Sequence, residues 1–111
     1  MAGKFEISKR SNGEYQFYLK AGNGQVILTS EGYSSRDACN NRIDSVRRHA
    51  KAVANFDKKT AKDGSPYFAL MASNGQSIGK SEMYRSTASR DKGIDSVMRN
   101  AGSAKISDLT G

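Results

Sequence analysis

The sequence predicts an α+β protein. We expect two tandem β-β-β-α repeats in one compact domain with pseudo-two-fold symmetry, an antiparallel sheet covered by two helices. Three observations carry this. Phe5–Ala50 aligns with Phe56–Ala101 at a constant offset of 51 residues, without a gap, and 19 of the 46 pairs are identical. Each copy opens with Asn-Gly or Asp-Gly pairs eleven residues apart, at Asn12-Gly13 and Asn23-Gly24, then at Asp63-Gly64 and Asn74-Gly75. After Tyr33 and Tyr84 the apolar period changes from two to that of a helix.

The elements follow in order. "KFEIS" places Phe5 and Ile7 on one face and Lys4, Glu6 and Ser8 on the other, the alternation of a half-buried strand. Asn12-Gly13 predicts a two-residue hairpin turn with positive φ at both positions. In "EYQFYLKA", Tyr15, Phe17, Leu19 and Ala21 share the inner face, leaving Gln16, Tyr18 and Lys20 outside. Asn23-Gly24 turns the chain again into "QVILT", with Ile27 inward. Ser34 and Asp37 have capping-box spacing. Cys39, Ile43, Val46, Ala50 and Val53 then fall at spacings of 4, 3, 4 and 3, one face of a helix.

The second copy repeats the pattern. Phe68, Leu70 and Ala72 keep the inner set, and Pro66 sits where its strand starts, a position that tolerates a missing donor. The second helix starts near Ser86 or Ser89, carries Ile94, Val97, Met98 and Ala101 inward, and stops at Gly102, which suits a left-handed cap. Gly93 costs that helix about 1 kcal/mol relative to alanine. Repeat one spans residues 4–54 and repeat two 55–105. The tail, 106–111, is expected either to carry a short extended piece around Ile106 and Leu109 or to fray. A single unit is too thin to bury a core, so 1–111 is read as one domain.

Composition bounds the function. Lysine plus arginine number 18 against 11 acids, a net charge of +7, which favours an anionic partner such as nucleic acid or an acidic protein. No apolar run approaches the roughly 18 residues of a membrane span. The first ten residues carry no apolar signal core, so a cytoplasmic monomer is expected. One cysteine and one histidine cannot close a four-ligand zinc site, and ten residues apart on one helix Cys39 and His49 cannot form a dyad. No catalytic, cofactor or metal residue is therefore nominated. "GNGQ" lacks the Gly-Lys-Ser/Thr ending of a phosphate loop. Asp44/Arg48 and Asp95/Arg99 read as solvated helix pairs. Glu31 and Glu82 read as acids serving the helix starts.

The sheet face left uncovered by the helices is the best binding surface. It presents Lys4, Glu6, Gln16, Tyr18 and Lys20 from repeat one, and Tyr67, Ala69 and Met71 from repeat two. The leading expectation is a non-catalytic interaction module. The alternative is weak nucleic-acid binding through Lys4, Tyr18, Lys20 and Tyr67, helped by Arg47 and Arg48, since aromatic rings and cations on an open sheet suit stacking with phosphate contact.

"NGQVILTSEGYSSRDAC" and "NGQSIGKSEMYRSTASRDKGIDSV" resemble the two repeats of the YegP-like family of small bacterial proteins. The shared words are N-G-Q, S-E-[GM]-Y and I-D-S-V. The resemblance implies β3-α units joined in a continuous sheet and leaves open whether the helices are exchanged between repeats. It implies no catalytic or binding residue.

Overall fold

The structure is a computed structural model and describes residues 3–110. Three strands, β1 (Lys4–Lys9), β2 (Tyr15–Lys20) and β3 (Val26–Thr29), lead into helix α1 (Arg36–His49). A single 3-10 turn, Val53–Asn55, connects to β4 (Phe56–Thr60), β5 (Pro66–Met71), β6 (Ser77–Lys80) and helix α2 (Thr87–Asn100). A last strand, β7 (Lys105–Asp108), ends the fold. All seven strands join one sheet in the order β4-β5-β6-β3-β2-β1-β7. Each meander is antiparallel, and the halves meet where β3 runs antiparallel to β6 through Thr29 opposite Lys80.

The sheet is not wholly antiparallel. β7 lies parallel to β1, Ile106 beside Phe5. The strand also begins at Lys105, one residue before the expected tail. α2 and its following turn carry the chain from β6 to β7, on the far edge of the sheet beyond β1.

The four hairpin turns are built alike. Gly13, Gly24, Gly64 and Gly75 have φ between +84° and +88°, and no other residue type among those described has positive φ. In the first turn Gly13 N–H donates to Arg10 O at 2.9 Å, and Arg10 N–H donates to Glu14 O at 2.7 Å. This is a type I turn closed by a glycine bulge, not the two-residue turn expected, so Asn12 keeps ordinary backbone angles. The residue before each glycine has another task. Asn12, Asn23, Asp63 and Asn74 each accept the N–H two residues on, at 2.9–3.0 Å, a local bond open to short Asn and Asp side chains.

Helix starts differ in detail from the expectation. Ser35, not Ser34, caps α1 by accepting Ala38 N–H at 3.1 Å. Ser86 caps α2 through Ser89 N–H. A lost serine cap costs about 1 kcal/mol. Gly102 lacks positive φ, so α2 stops without a left-handed cap. Val53 leaves the α1 face for the 3-10 turn and is 60% exposed.

Both helices lie on one face and straddle the seam. α1 packs on β2 of its own repeat and on β5 and β6 of the other; α2 packs on β5 and β3. Phe5, Phe17, Leu19, Cys39, Ile43 and Val46 from repeat one merge with Phe68, Leu70, Ile78, Ile94 and Val97 from repeat two in a single core. Edge-on ring pairs recur, Phe5–Phe17 at 5.9 Å and Phe56–Phe68 at 5.7 Å. At the seam the repeats differ. Leu28 and Gly79 are equivalent residues, and a Cβ on Gly79 would lie 3.0 Å from Leu28 Cγ. One large side chain thus fills space that two could not share.

Candidate functional site

On the uncovered face, strand register aligns one residue from every strand in a row. It runs Asp57, Ala69, Lys80, Thr29, Tyr18, Glu6, Ser107. A second row sets Lys20, Lys4 and Lys105 side by side on β2, β1 and β7. Glu6 bridges two of these lysines, 2.9 Å from Lys20 Nζ and 3.0 Å from Lys4 Nζ. The hydrogen bond from Lys20, then that from Lys4, holds the Glu6 carboxyl below its usual range. Lys105 and Lys80 make no ion pair among the described residues.

Four of the six nominated residues reach this face, but not together. Lys4, Tyr18 and Lys20 lie on the β1–β2 half. Tyr67 lies opposite Lys59 on the β4–β5 half. Arg47 and Arg48 belong to the helix layer. Arg47 sits over the Phe5 ring at 5.5 Å and donates from Nη2 to Ala104 O, at the start of β7. Arg48 is exposed and pairs with Asp44 at 3.8 Å. Lys80 and Lys105 were not singled out from the sequence. Alternation along β6 could have found Lys80, since its repeat partner Thr29 lies beside Tyr18. Finding Lys105 requires knowing that β7 docks on β1.

The reactive side chains are occupied elsewhere. Cys39 is fully buried, and burial, then Asp108, pushes its thiol up to about 11. His49 donates from Nδ1 to Ser45 O at 2.8 Å, while Nε2 accepts Ser73 N–H at 3.3 Å, tying α1 to the β5–β6 turn. Its repeat partner Asn100 plays a similar part, donating to Ser96 O and accepting Gly3 N–H.

The repeated Ser-Glu pair divides its labour. Ser30 and Ser81 are buried; each accepts the N–H of Phe17 or Phe68 and donates to the next carbonyl. Glu31 and Glu82 are exposed and form no side-chain bond to a helix start among the described residues. The serine, not the glutamate, is therefore the structural member.

Several concavities interrupt the surface, one of about 310 Å³ bordered by Arg10, Glu31, Ser77 and Lys80. Another, about 740 Å³, lies between the β2–β3 turn and the end of α2; its charged residue Arg99 is paired with Asp95 at 3.4 Å. Elsewhere the Asn-Gly-Gln turn of each repeat faces the tyrosine of the other. Gln76 and Ser77 meet Glu31, Tyr33 and Arg42 in a cleft of about 390 Å³, and Gln25 meets Tyr84 and Gly93 in one of about 160 Å³. Both tyrosine hydroxyls are raised above their usual range, chiefly by burial. Arg42 opposes the rise at Tyr33 and Glu31 adds to it; Glu82 adds to it at Tyr84.

Comparison with known proteins agrees with this architecture. The family described as "Domain of unknown function (DUF1508)" matches twice, at residues 11–57 and 61–108. A UPF0339 protein of Shewanella oneidensis is 51% identical over 110 residues, spanning 99% of this chain and 100% of that protein. The solution NMR structure of a UPF0339 protein from S. oneidensis superposes with a TM-score of 0.91 at 50% identity, covering 98% of this chain and 92% of that one. The solution NMR structure of Escherichia coli yegP, described as a protein of unknown function, gives 0.94 at 48% identity, covering 100% and 96%. With both repeats matched and the whole fold shared, the chain belongs to the DUF1508 (UPF0339, YegP-like) family.

Proposed function

We propose that the protein is a non-catalytic interaction module that holds an anionic partner on the uncovered sheet face. The observation that carries this reading is the row Lys20, Lys4, Lys105, three adjacent lysines answered by the single carboxylate of Glu6. An acidic protein segment suits these spaced point charges. A nucleic acid is the alternative, because Tyr18 stands beside the same row and offers a ring for stacking. We further propose that the chain acts as a cytoplasmic monomer and a single domain, with repeats at 4–54 and 55–105 and a pseudo-two-fold axis between β3 and β6.

The test is fluorescence anisotropy with poly-glutamate, single-stranded RNA and duplex DNA at low salt, followed by salt addition. Binding through lysines must weaken steeply as salt rises. Replacing Lys4, Lys20 and Lys105 by glutamate should abolish it. No binding of any of the three at about 50 mM salt, where such contacts are strong, removes the reading.

A further inference from the structure

The two clefts at the seam began as copies of one site and now differ. In repeat two Gly93 leaves room for Tyr84; a Cβ there would lie 2.2 Å from Tyr84 Oη. The ring drops into that space and stacks on Phe68 at 6.2 Å, with 13° between planes. Tyrosine therefore fills its own cleft. In repeat one the residue equivalent to Gly93 is Arg42. Tyr33 makes no such stack on Phe17 among the described residues, and Arg42 instead covers the Tyr33 ring at 5.9 Å. The cleft stays open, at about 390 Å³.

Its lining is unusual in charge. Arg42 and Glu31 both border it, yet neither forms an ion pair with the other or with any described residue. The nearby Arg10 is engaged by Glu14 at 3.7 Å. The side chains of Gln76 and Ser77 are likewise exposed, with no hydrogen bond among the described residues. The walls are firm. Tyr33 and Tyr15 exchange reciprocal backbone bonds at 2.7 Å, and Ser30 Oγ donates to Glu31 O at 2.8 Å. The backbone that carries Glu31 and Tyr33 is thus fixed, and only side-chain rotamers are left to order on binding.

From these groups we infer that the cleft bounded by Glu31, Tyr33, Arg42, Gln76 and Ser77 binds a small zwitterion, a molecule carrying a carboxylate and an ammonium on one short frame. A simple anion drawn to Arg42 is opposed by Glu31. A simple cation drawn to Glu31 is opposed by Arg42. A zwitterion satisfies both, with its carboxylate on the guanidinium, its ammonium on the carboxylate, and the Gln76 carboxamide and Ser77 hydroxyl for its remaining polar atoms. A free amino acid or a short peptide fits the volume.

The test is two-dimensional NMR of the full chain titrated with glycine, glycylglycine and 4-aminobutyrate, whose charges lie progressively further apart. Acetate and methylammonium serve as single-charge controls. At least one zwitterion should shift the Gln76 side-chain amide and the backbone amides of residues 31–33 saturably, with Kd near about 1 mM. The controls should bind at least about tenfold more weakly. Glu31→Gln and Arg42→Met should each weaken the response about tenfold, while the Phe68 and Tyr84 signals stay in place. Should Arg42→Met disturb those signals, the exposed Glu31→Gln decides alone. The inference is overturned if no zwitterion gives saturable shifts, if acetate does as well, or if Glu31→Gln changes nothing.

Discussion

β1 and β4 are equivalent strands, yet their outer edges are protected by different means. β1 is covered by β7, and two arginines of α1 hold the cover. Arg36 pairs with Asp108 at 3.1 Å and donates to Thr110 Oγ1, while Arg47 holds Ala104 O at the other end. Their repeat partners are Thr87 and Met98, which cannot do this. Among the described residues β4 has no neighbour beyond it. Where β1 turns Ile7 inward, β4 carries Lys58, paired with Asp91 of α2 at 3.3 Å. An inward-pointing charge on an edge strand discourages another chain from adding to it. Identical pairs such as Phe5/Phe56, Phe17/Phe68 and Ile43/Ile94 build the shared core, while the changed pairs Ile7/Lys58, Arg36/Thr87 and Arg47/Met98 settle what each edge meets.

The strongest challenge to this comparison is at its common part. Ile43→Ala and Ile94→Ala occupy equivalent buried sites and should each cost about 2–5 kcal/mol by denaturant unfolding. A loss below 1 kcal/mol at both would break the shared core. Removing residues 105–111 should cost about 2–4 kcal/mol, at roughly 1 kcal/mol for each ladder or arginine bond lost. It should also produce concentration-dependent association in gel filtration, through the bared β1. Gly93→Ala separates two expectations of opposite sign. Helix propensity alone favours alanine by about 1 kcal/mol, but overpacking against Tyr84 should leave a net loss of about 1–3 kcal/mol in thermal unfolding. Lys58→Ile sharpens the contrast between edges. It removes an exposed pair worth at most about 1 kcal/mol, so the stability of the fold should hardly move while gel filtration reports a shift to larger species.

The smallest effect is a pH dependence on the β1–β2 half. Glu6 titrates below its ordinary value in the folded chain because of Lys20 and Lys4. The unfolded chain therefore binds that proton first as pH falls. The stabilisation is complete above the ordinary glutamate pKa of about 4.3 and disappears as pH drops through the lower folded value. Glu6→Gln should flatten that part of the melting-temperature curve. An unchanged slope would show that the lysine row does not need Glu6.

Much of the fold was legible because duplication writes the same physics twice. Phe17/Phe68, Leu19/Leu70 and Ile43/Ile94 gave strand and helix faces that the structure buries. The repeat also held a signal that went unused: Ser35 matches Ser86, whereas Ser34 faces Arg85, so identity alone marks the true cap. The turn type was not legible, since a bulged type I turn and a two-residue turn both ask for glycine after Asn. The seventh strand was hidden because "KISD" has no repeat partner and its docking depends on Arg36 and Arg47, distant in sequence. For the same reason Arg47 read as a surface cation. The clefts were invisible because they join the turn of one repeat to the tyrosine of the other.

The meeting of Leu28 with Gly79 has a historical consequence. Two copies of the first unit would bring leucine against leucine at the join, and two copies of the second would leave a hole there. A self-paired form of either half would have to relieve that mismatch. Duplication supplied two like halves; this complementary pair fits each to the other at the join.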